Sequence, residues 1–540
     1  MVFQQYFWLL IASVLLFASI LLERRDKQNW AILLLTLGGF SVYLFAARLC
    51  PFLNLWDEQY HAVVAKSCMQ HPFVPSFYPE EILPNHDYTN WLIASVWLHK
   101  QPLFLWFIAL SFKIFGVSEL SLRLPSALFC ALLVPIAYRI AKLLTKNERM
   151  AFCTAVAVAS SWCLIRLVAG IESTDHNDVC FVFFVTASLW ALLEFYHSSD
   201  HKWLWSILIG AFAGAAILTK WLVGLLVFFF WGVYELTNNG LKFRSWKLGY
   251  MLVALGVTLL IALPWQCYIF HEFPVSARKE FLYNFQHLSA EVEEHHNGLL
   301  YFLQILPLQF FGRGYDPCTV GFQWNFATIL TYVILLGGLF LLFKNLKSRT
   351  ARLSLAIGVL FVFLFFSFAQ TKMPSFTFVL CVVGFMCIGA VMDFAVALLE
   401  RLLSVRWLQE SVAVIFIMLA AFYQLNYPNY YNSLYQSYPS IAEENKKVFQ
   451  SWKDKVPEGY TVFNVNGFNG APSSYCYVLN APAMFYSDRT CYIELPPYEE
   501  LKKLQSRGVK VAIVDMPGLI DTLYLNDDSF IHLPSEAKPY

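Results

Sequence analysis

Apolar runs of about 20 residues, enough for a helix to cross a hydrocarbon core, recur along this chain. They end near Leu22, Arg48, Leu144, Ala169, Phe195, Thr219, Glu235, Leu263, Phe343, Ala369, Leu399 and Leu425. The pattern predicts about twelve transmembrane helices. The two runs that flank Lys220 are short and predict helices that tilt or only just reach the interface. Two shorter apolar stretches, Pro102–Phe115 and Leu299–Phe311, predict helices lying at the interface. The first run, Phe7 to Leu22, lacks a basic leader and a small-residue cleavage site, and Glu23-Arg24-Arg25 follows it directly, so it reads as an uncleaved span.

The polar stretches set the orientation. Arg24, Arg25 and Lys27; Lys146 and Arg149; Lys242, Arg244 and Lys247; Lys344, Lys347, Arg349 and Arg352; and Arg401 and Arg406 all fall on one side of the membrane under this count. Positive charge marks that side as cytoplasmic. The N-terminus, the loop Cys50–Arg123, the loop Trp265–Gln323 and everything after Leu425 are then outside.

The tail changes character. A Tyr/Asn/Pro/Ser-rich stretch from Asn426 to Ser440 reads as a linker. TVFNV, SSYCYVLN and VKVAIVD then read as strands, and YEELKKLQSRG as an amphipathic helix stopped by glycine. The fold class is therefore an all-α multi-pass membrane protein with a small C-terminal α/β extracytoplasmic domain. Residues 1–425 form the membrane domain, with its first outer loop at 50–123, and residues 426–540 form the soluble domain.

Composition agrees with this layout. Of 540 residues, 58% are hydrophobic and only 14% charged, against roughly 25% charged in soluble domains. A net charge of +1 gives no bulk pull towards nucleic acid. The twelve cysteines form no C-x-x-C pair, which argues against zinc ribbons and redox motifs. Cys476 and Cys491 lie in the polar tail, where an oxidising compartment would allow them to pair.

Ionisable groups at the edges of spans are costly and therefore mark function. On the outer side they are Asp57 and Glu58 after the second span, His99 and Lys100 before an interfacial helix, and Arg123 opening the third span. Asp175, His176 and Asp178, then Lys220, then His287, Glu293, Glu294, His295 and His296, and finally Lys372, complete the set. Adjacent carboxylates suit a general base. Lysines and arginines at headgroup depth suit a phosphate. A base beside a phosphate patch in a many-span protein suggests group transfer from a lipid-linked phosphate donor. Each group also has a plain structural reading: Asp57-Glu58 or Asp175 as helix caps, and Lys100, Arg123, Lys220 or Lys372 as interfacial anchors.

Several motifs occur together and in order. WDEQYHAVVAK (Trp56–Lys66) is followed by LHKQPLFLWFIALSFKIFGVSELSLRLPSAL (Leu98–Leu128). STDHNDV (Ser173–Val179), AILTKWLVGLL (Ala216–Leu226), LPW (Leu263–Trp265) and FFSFAQTKMPSF (Phe365–Phe376) come after them. Together they resemble the GT-C membrane glycosyltransferases of family 39, the dolichyl- or polyprenyl-phosphate-mannose protein mannosyltransferase-like enzymes, and the related bacterial lipid A aminoarabinose transferases. The resemblance implies a GT-C-like fold, a polyprenyl-phosphate-linked sugar donor, a protein or glycolipid acceptor on the outer face, and inversion at the anomeric carbon. It places Asp57, with Glu58 beside it, at the catalytic position, and Lys100, Lys220 and Lys372 on the donor phosphate. It also places Asp175 in the substrate cavity, which His99 and Arg123 adjoin. The family pattern Glu-Lys-Pro-Pro is His99-Lys100-Gln101-Pro102 here, so the metal site that some relatives build on that Glu does not carry over. The ligand types of His99 with His287 or His295 would suit a divalent metal.

The resemblance favours a bacterial inner-membrane enzyme with an extracytoplasmic site. Its donor sugar reads as mannose-like. The first alternative is amino-sugar transfer to a lipid A-type glycolipid. A second is a lipid-linked sugar transporter or flippase, against which the lack of a visible inverted repeat counts.

Overall fold

A backbone in hydrocarbon must satisfy its own hydrogen bonds, so the apolar runs fold as helices. In the computed structural model of the protein, the described residues are 2–55, 57–78, 82–83, 94–172, 175–292, 297–313, 315–316, 321–322, 325–425, 438–465, 478–515 and 520–538. Among them are eleven helical stretches long and apolar enough to cross a membrane. The difference from the expected dozen lies in Lys202–Asn239, counted there as one span of 38 residues. Its backbone breaks at Trp221, where φ is 59°, and passes through a short 3₁₀ turn at Trp221–Leu225. Lys202–Lys220 and Leu226–Asn239 are therefore the two short helices expected on either side of Lys220. The interfacial helices also form, at Leu103–Phe115 and, in two pieces, at Tyr301–Gln304 and Leu306–Phe311.

The described chain divides into two compact units. One comprises Met1–Leu49 and Leu124–Asn432, the other Cys50–Arg123 and Ser433–Tyr540.

The first unit is the helical membrane part. Its centre is the stretch Glu148–Val168, 94% buried within the protein, whereas Tyr6–Glu23 is only 22% buried and faces outward. Inside a bilayer, helices associate by close packing of small residues rather than by a hydrophobic gain. Gly210 and Gly214, four residues apart on Lys202–Lys220, serve this purpose: a Cβ on Gly210 would strike the carbonyl of Ala254, and one on Gly214 the side chain of Ile261. Thr258 seals the contact by donating its hydroxyl to the Gly210 carbonyl at 3.1 Å.

The second unit joins a loop and a tail that are far apart in sequence. Its sheet has four parallel strands in the order Thr490–Cys491, Tyr460–Phe463, Lys510–Asp515, Ile531–Pro534. Two of the expected strands are present, and the helix Tyr498–Ser506 ends before Gly508, whose φ is +90°. Most of the expected SSYCYVLN strand lies outside the described residues, as does Cys476. Its last residue, Asn480, opens a helix, Asn480–Ser487, instead. The end of the expected linker also proves helical, within Tyr438–Lys455.

The outer loop contributes the helices Asp57–Cys68 and Leu103–Phe115 to this unit. Leu53 is gripped from both sides: its carbonyl accepts from Tyr438 Oη at 2.6 Å and its N–H donates to Tyr486 Oη at 2.8 Å. Tyr78 stacks on Tyr492 with ring centroids 4.4 Å apart. Lys446 donates to the Pro51 carbonyl at 2.7 Å and to Glu119 at 2.5 Å.

Candidate active site

In the second unit the expected acids open the helix Asp57–Cys68 and take different partners. Glu58 is fully buried and faces Arg123, also fully buried, which donates Nε to Oε1 at 2.6 Å and Nη2 to Oε2 at 2.9 Å. The remaining donors of Arg123 reach the carbonyls of Cys50 at 2.5 Å and Phe52 at 2.7 Å, and the Asn54 N–H donates to Glu58 Oε2 at 2.6 Å. Two buried charges are tolerated only when paired and hydrogen-bonded in this way. The result is a rigid clamp on the backbone that leads into the helix.

Asp57 has the Lys100 ammonium 3.3 Å from Oδ2 and His61, one helical turn on, with Nε2 at 3.9 Å from the same oxygen. Burial by itself would raise the Asp57 carboxyl. The positive charge of Lys100, with His61 and His99 beside it, outweighs burial and holds it down to about 2. His61, boxed against Phe104 and Trp97, is pushed down to about 4, chiefly by burial and further by Lys100 and His99, against the pull of Asp57. At neutral pH the helix start therefore carries an ionised Asp57, a neutral His61 and a lysine. His99 is buried with its ring edge-on to Trp97.

The remaining expected residues belong to the membrane unit. Asp175 is fully buried at the start of Asp175–His197 and accepts the N–H of His176. The His176 ring reaches Ser126 Oγ through Nδ1 at 2.9 Å. Lys220 ends its helix next to the Trp221 break. It is ion-paired with the buried Asp178, lies 3.3 Å from Ser375 Oγ, and sits over the Phe376 ring. Lys372 is buried in a segment tied to its neighbours: Thr371 N donates to the His287 carbonyl at 3.1 Å, Asn297 Nδ2 to the Lys372 carbonyl at 3.0 Å, and Gln309 Nε2 to the Pro374 carbonyl at 2.6 Å. Glu293, Glu294, His295 and His296 lie outside the described residues.

The structure thus brings Asp57, Glu58, His99, Lys100 and Arg123 together within one unit. It pairs Lys220 with Asp178 in the other. Sequence reasoning gave no role to His61, although its place one turn after Asp57 was readable from helical spacing. It could not have found Tyr438 and Tyr486.

The fold is the GT-C fold, and the multi-pass membrane chain resembles the lipid A aminoarabinose transferases. Residues 99–268 match the dolichyl-phosphate-mannose-protein mannosyltransferase family. An undecaprenyl phosphate-alpha-4-amino-4-deoxy-L-arabinose arabinosyl transferase of Pseudomonas aeruginosa is 28% identical over 252 residues, 44% of this chain. The match spans 40% of that relative's own length. In structure, ArnT from Cupriavidus metallidurans bound to undecaprenyl phosphate superposes with a TM-score of 0.60, covering 88% of both chains at 15% identity. The apo oligosaccharyltransferase of Archaeoglobus fulgidus gives 0.51 at 14% identity, covering 86% of this chain and 64% of its own.

Proposed function

We propose that the protein transfers a sugar from a polyprenyl phosphate to an acceptor outside the cytoplasm of a bacterial inner membrane, with inversion. In this reading residues 1–425 hold the donor lipid and residues 426–540 form the extracytoplasmic domain. The observation that carries it is the buried, ionised Asp57 beside Lys100 at the start of a loop helix, in a chain whose relatives are named for undecaprenyl-phosphate-linked sugar transfer. Those names support an amino pentose as the donor sugar over mannose, and a lipid A-type glycolipid as acceptor over protein.

Asp57 is the base that takes the proton from the acceptor's nucleophile. Its electron pair attacks the anomeric carbon, and the bond to the phosphate oxygen breaks. Lys100 stabilises the phosphate that leaves. A carboxylate held near 2 is a poor base. A donor phosphate that draws the Lys100 charge to itself restores the basicity of Asp57, which couples donor binding to acceptor activation. Glu58, committed to Arg123, positions Asp57 rather than reacting. His99 and Arg123 support the same site.

The test is transfer of label from radiolabelled undecaprenyl-phosphate aminoarabinose or polyprenyl-phosphate mannose into an envelope extract by the purified protein, with Asp57→Asn in parallel. Label moving from the carrier, and lost in the variant, supports the reading. No movement from any donor by a folded protein would overturn it.

A further inference from the structure

At the opposite, lysine- and arginine-rich ends of the spans the membrane unit holds a polar cavity of about 740 Å³. It is lined by Glu23 and Gln28 at the first helical turn-around, by Lys146 and Arg149 at the second, and by Lys347 after the helix Phe326–Asn345. All of these residues sit at or just beyond span termini, so the cavity lies at headgroup depth. The charge pattern predicted from the loops puts it at the cytoplasmic leaflet.

Three of its seven charged lining residues, Arg24, Glu148 and Arg149, are already matched, and Asp26 is exposed. Arg24 pairs with Glu400 at 2.5 Å, and Arg149 with Asp393 at 2.6 Å and Glu400 at 2.7 Å. Lys142 holds Glu148 at 2.6 Å. What is left over has two signs. Glu23 is only 7% exposed and its Oε2 accepts no hydrogen bond; Gln28 Oε1 is likewise buried and unpartnered. Lys146 and Lys347, both exposed, have no carboxylate partner among the described residues. A buried carboxylate oxygen without a donor is costly, and two orphaned acceptors in one cavity call for a ligand rich in N–H. Two unmatched lysines on the same cavity call for an anion. A metal dication would answer the first demand and be repelled by the lysines; a plain phosphate would answer the second and be repelled by Glu23.

We infer that this cavity binds the headgroup of an ammonium-bearing phospholipid, of the ethanolamine class, with its ammonium donating to Glu23 and Gln28 and its phosphate on Lys146 and Lys347. This is a lipid site on the cytoplasmic leaflet, separate from the transfer chemistry.

The full-length protein is purified, stripped of lipid and reconstituted in dioleoylphosphatidylglycerol alone, or mixed with dioleoylphosphatidylethanolamine or dioleoylphosphatidylcholine. Thermal unfolding and native mass spectrometry are the readouts. Phosphatidylethanolamine is expected to raise Tm and to remain as an adduct, whereas phosphatidylcholine, which has no N–H to donate, does neither. Glu23→Gln should weaken ethanolamine-lipid retention about tenfold, the loss of one charge-assisted contact, with Tm in phosphatidylglycerol unchanged. Lys146→Ala and Lys347→Ala should each weaken it as well. Equal effects of all three lipids, or an unaltered adduct in Glu23→Gln, would overturn the assignment. So would soluble phosphoethanolamine raising Tm as much as the lipid, which would make the ligand a water-soluble one.

Discussion

Arg123 and Glu58 form a two-pronged ion pair, 2.6 and 2.9 Å, with neither side chain exposed. The same guanidinium holds the carbonyls of Cys50 and Phe52, so one residue at the head of a span fixes the chain on which Asp57 sits. Removing one partner of a buried pair leaves the other charged and unmatched, at a cost of about 3–5 kcal/mol. Arg123→Ala should therefore lower thermal stability steeply, and Arg123→Lys, which cannot present the fork, should recover little of it. Unfolding of the purified variants, followed by intrinsic fluorescence, is the check; near-wild-type stability of Arg123→Ala would remove the clamp from the account.

Asp57→Asn should cut transfer by about a thousandfold, the usual scale for losing a general base, while the protein stays folded and loses about 2 kcal/mol, the stability that the depressed pKa contributes at neutral pH. The pH profile carries more information. With Asp57 held near 2, its titration does not limit kcat/KM between neutral pH and about pH 4. Lys100 is the largest charge lowering that pKa, so Lys100→Gln should shift the acid limb of kcat/KM upward, towards and past ordinary carboxylate values. An unmoved limb would mean that Asp57 is not the titrating base.

His61 makes the stability depend on acid. Its folded pKa, about 4, lies below its ordinary value of 6.5, so the folded state is penalised when the solution protonates the unfolded imidazole. Stability should be full above about pH 6.5 and decline as pH falls towards 4, by up to about 3 kcal/mol. Asp57, whose folded pKa is also depressed, adds a second loss only below about pH 4, as pH falls through its own window towards 2. His61→Phe should flatten the decline between pH 6.5 and 4, measured by chemical denaturation at stepped pH.

Lys220 is paired with the buried Asp178, so its loss mixes structural and functional effects. Lys220→Met alone should destabilise the protein by about 3 kcal/mol or more. The double variant Lys220→Met with Asp178→Asn should regain most of that stability. If the double variant also regained transfer, the lysine would be only the partner of Asp178 and not a phosphate contact.

Tyr438 and Tyr486 hold the two sides of Leu53, four residues before Asp57. Tyr438→Phe and Tyr486→Phe should each cost about 1 kcal/mol. If the tail orders the loop for chemistry, kcat should fall with little change in KM. A change confined to KM would point to acceptor binding instead.

Much of this protein was legible in its sequence because a bilayer leaves a chain few choices. Apolar length forces helices, loop charge orders them, and the parallel strands at Tyr460–Phe463 and Lys510–Asp515 read from their own β-branched and aromatic content. The break at Lys220 was visible as two short apolar runs on either side of it. The candidate residues also stood out one by one, since an ionisable group at a span end needs a reason. Their partnerships did not. Arg123 read first as an interfacial anchor, and only folding shows it closed on Glu58, 65 residues away. Lys220 facing Asp178, and Tyr438 and Tyr486 closing on Leu53, are contacts between segments distant in sequence. Local pattern reports which face of an element is apolar, whereas burial, and with it the pKa of Asp57 and His61, is set by which distant side chains exclude the water. The sequence by itself determined a many-helix membrane chain with a soluble tail and a short roster of charged residues. The tertiary structure decided which of those charges neutralise one another and which are left poised to act.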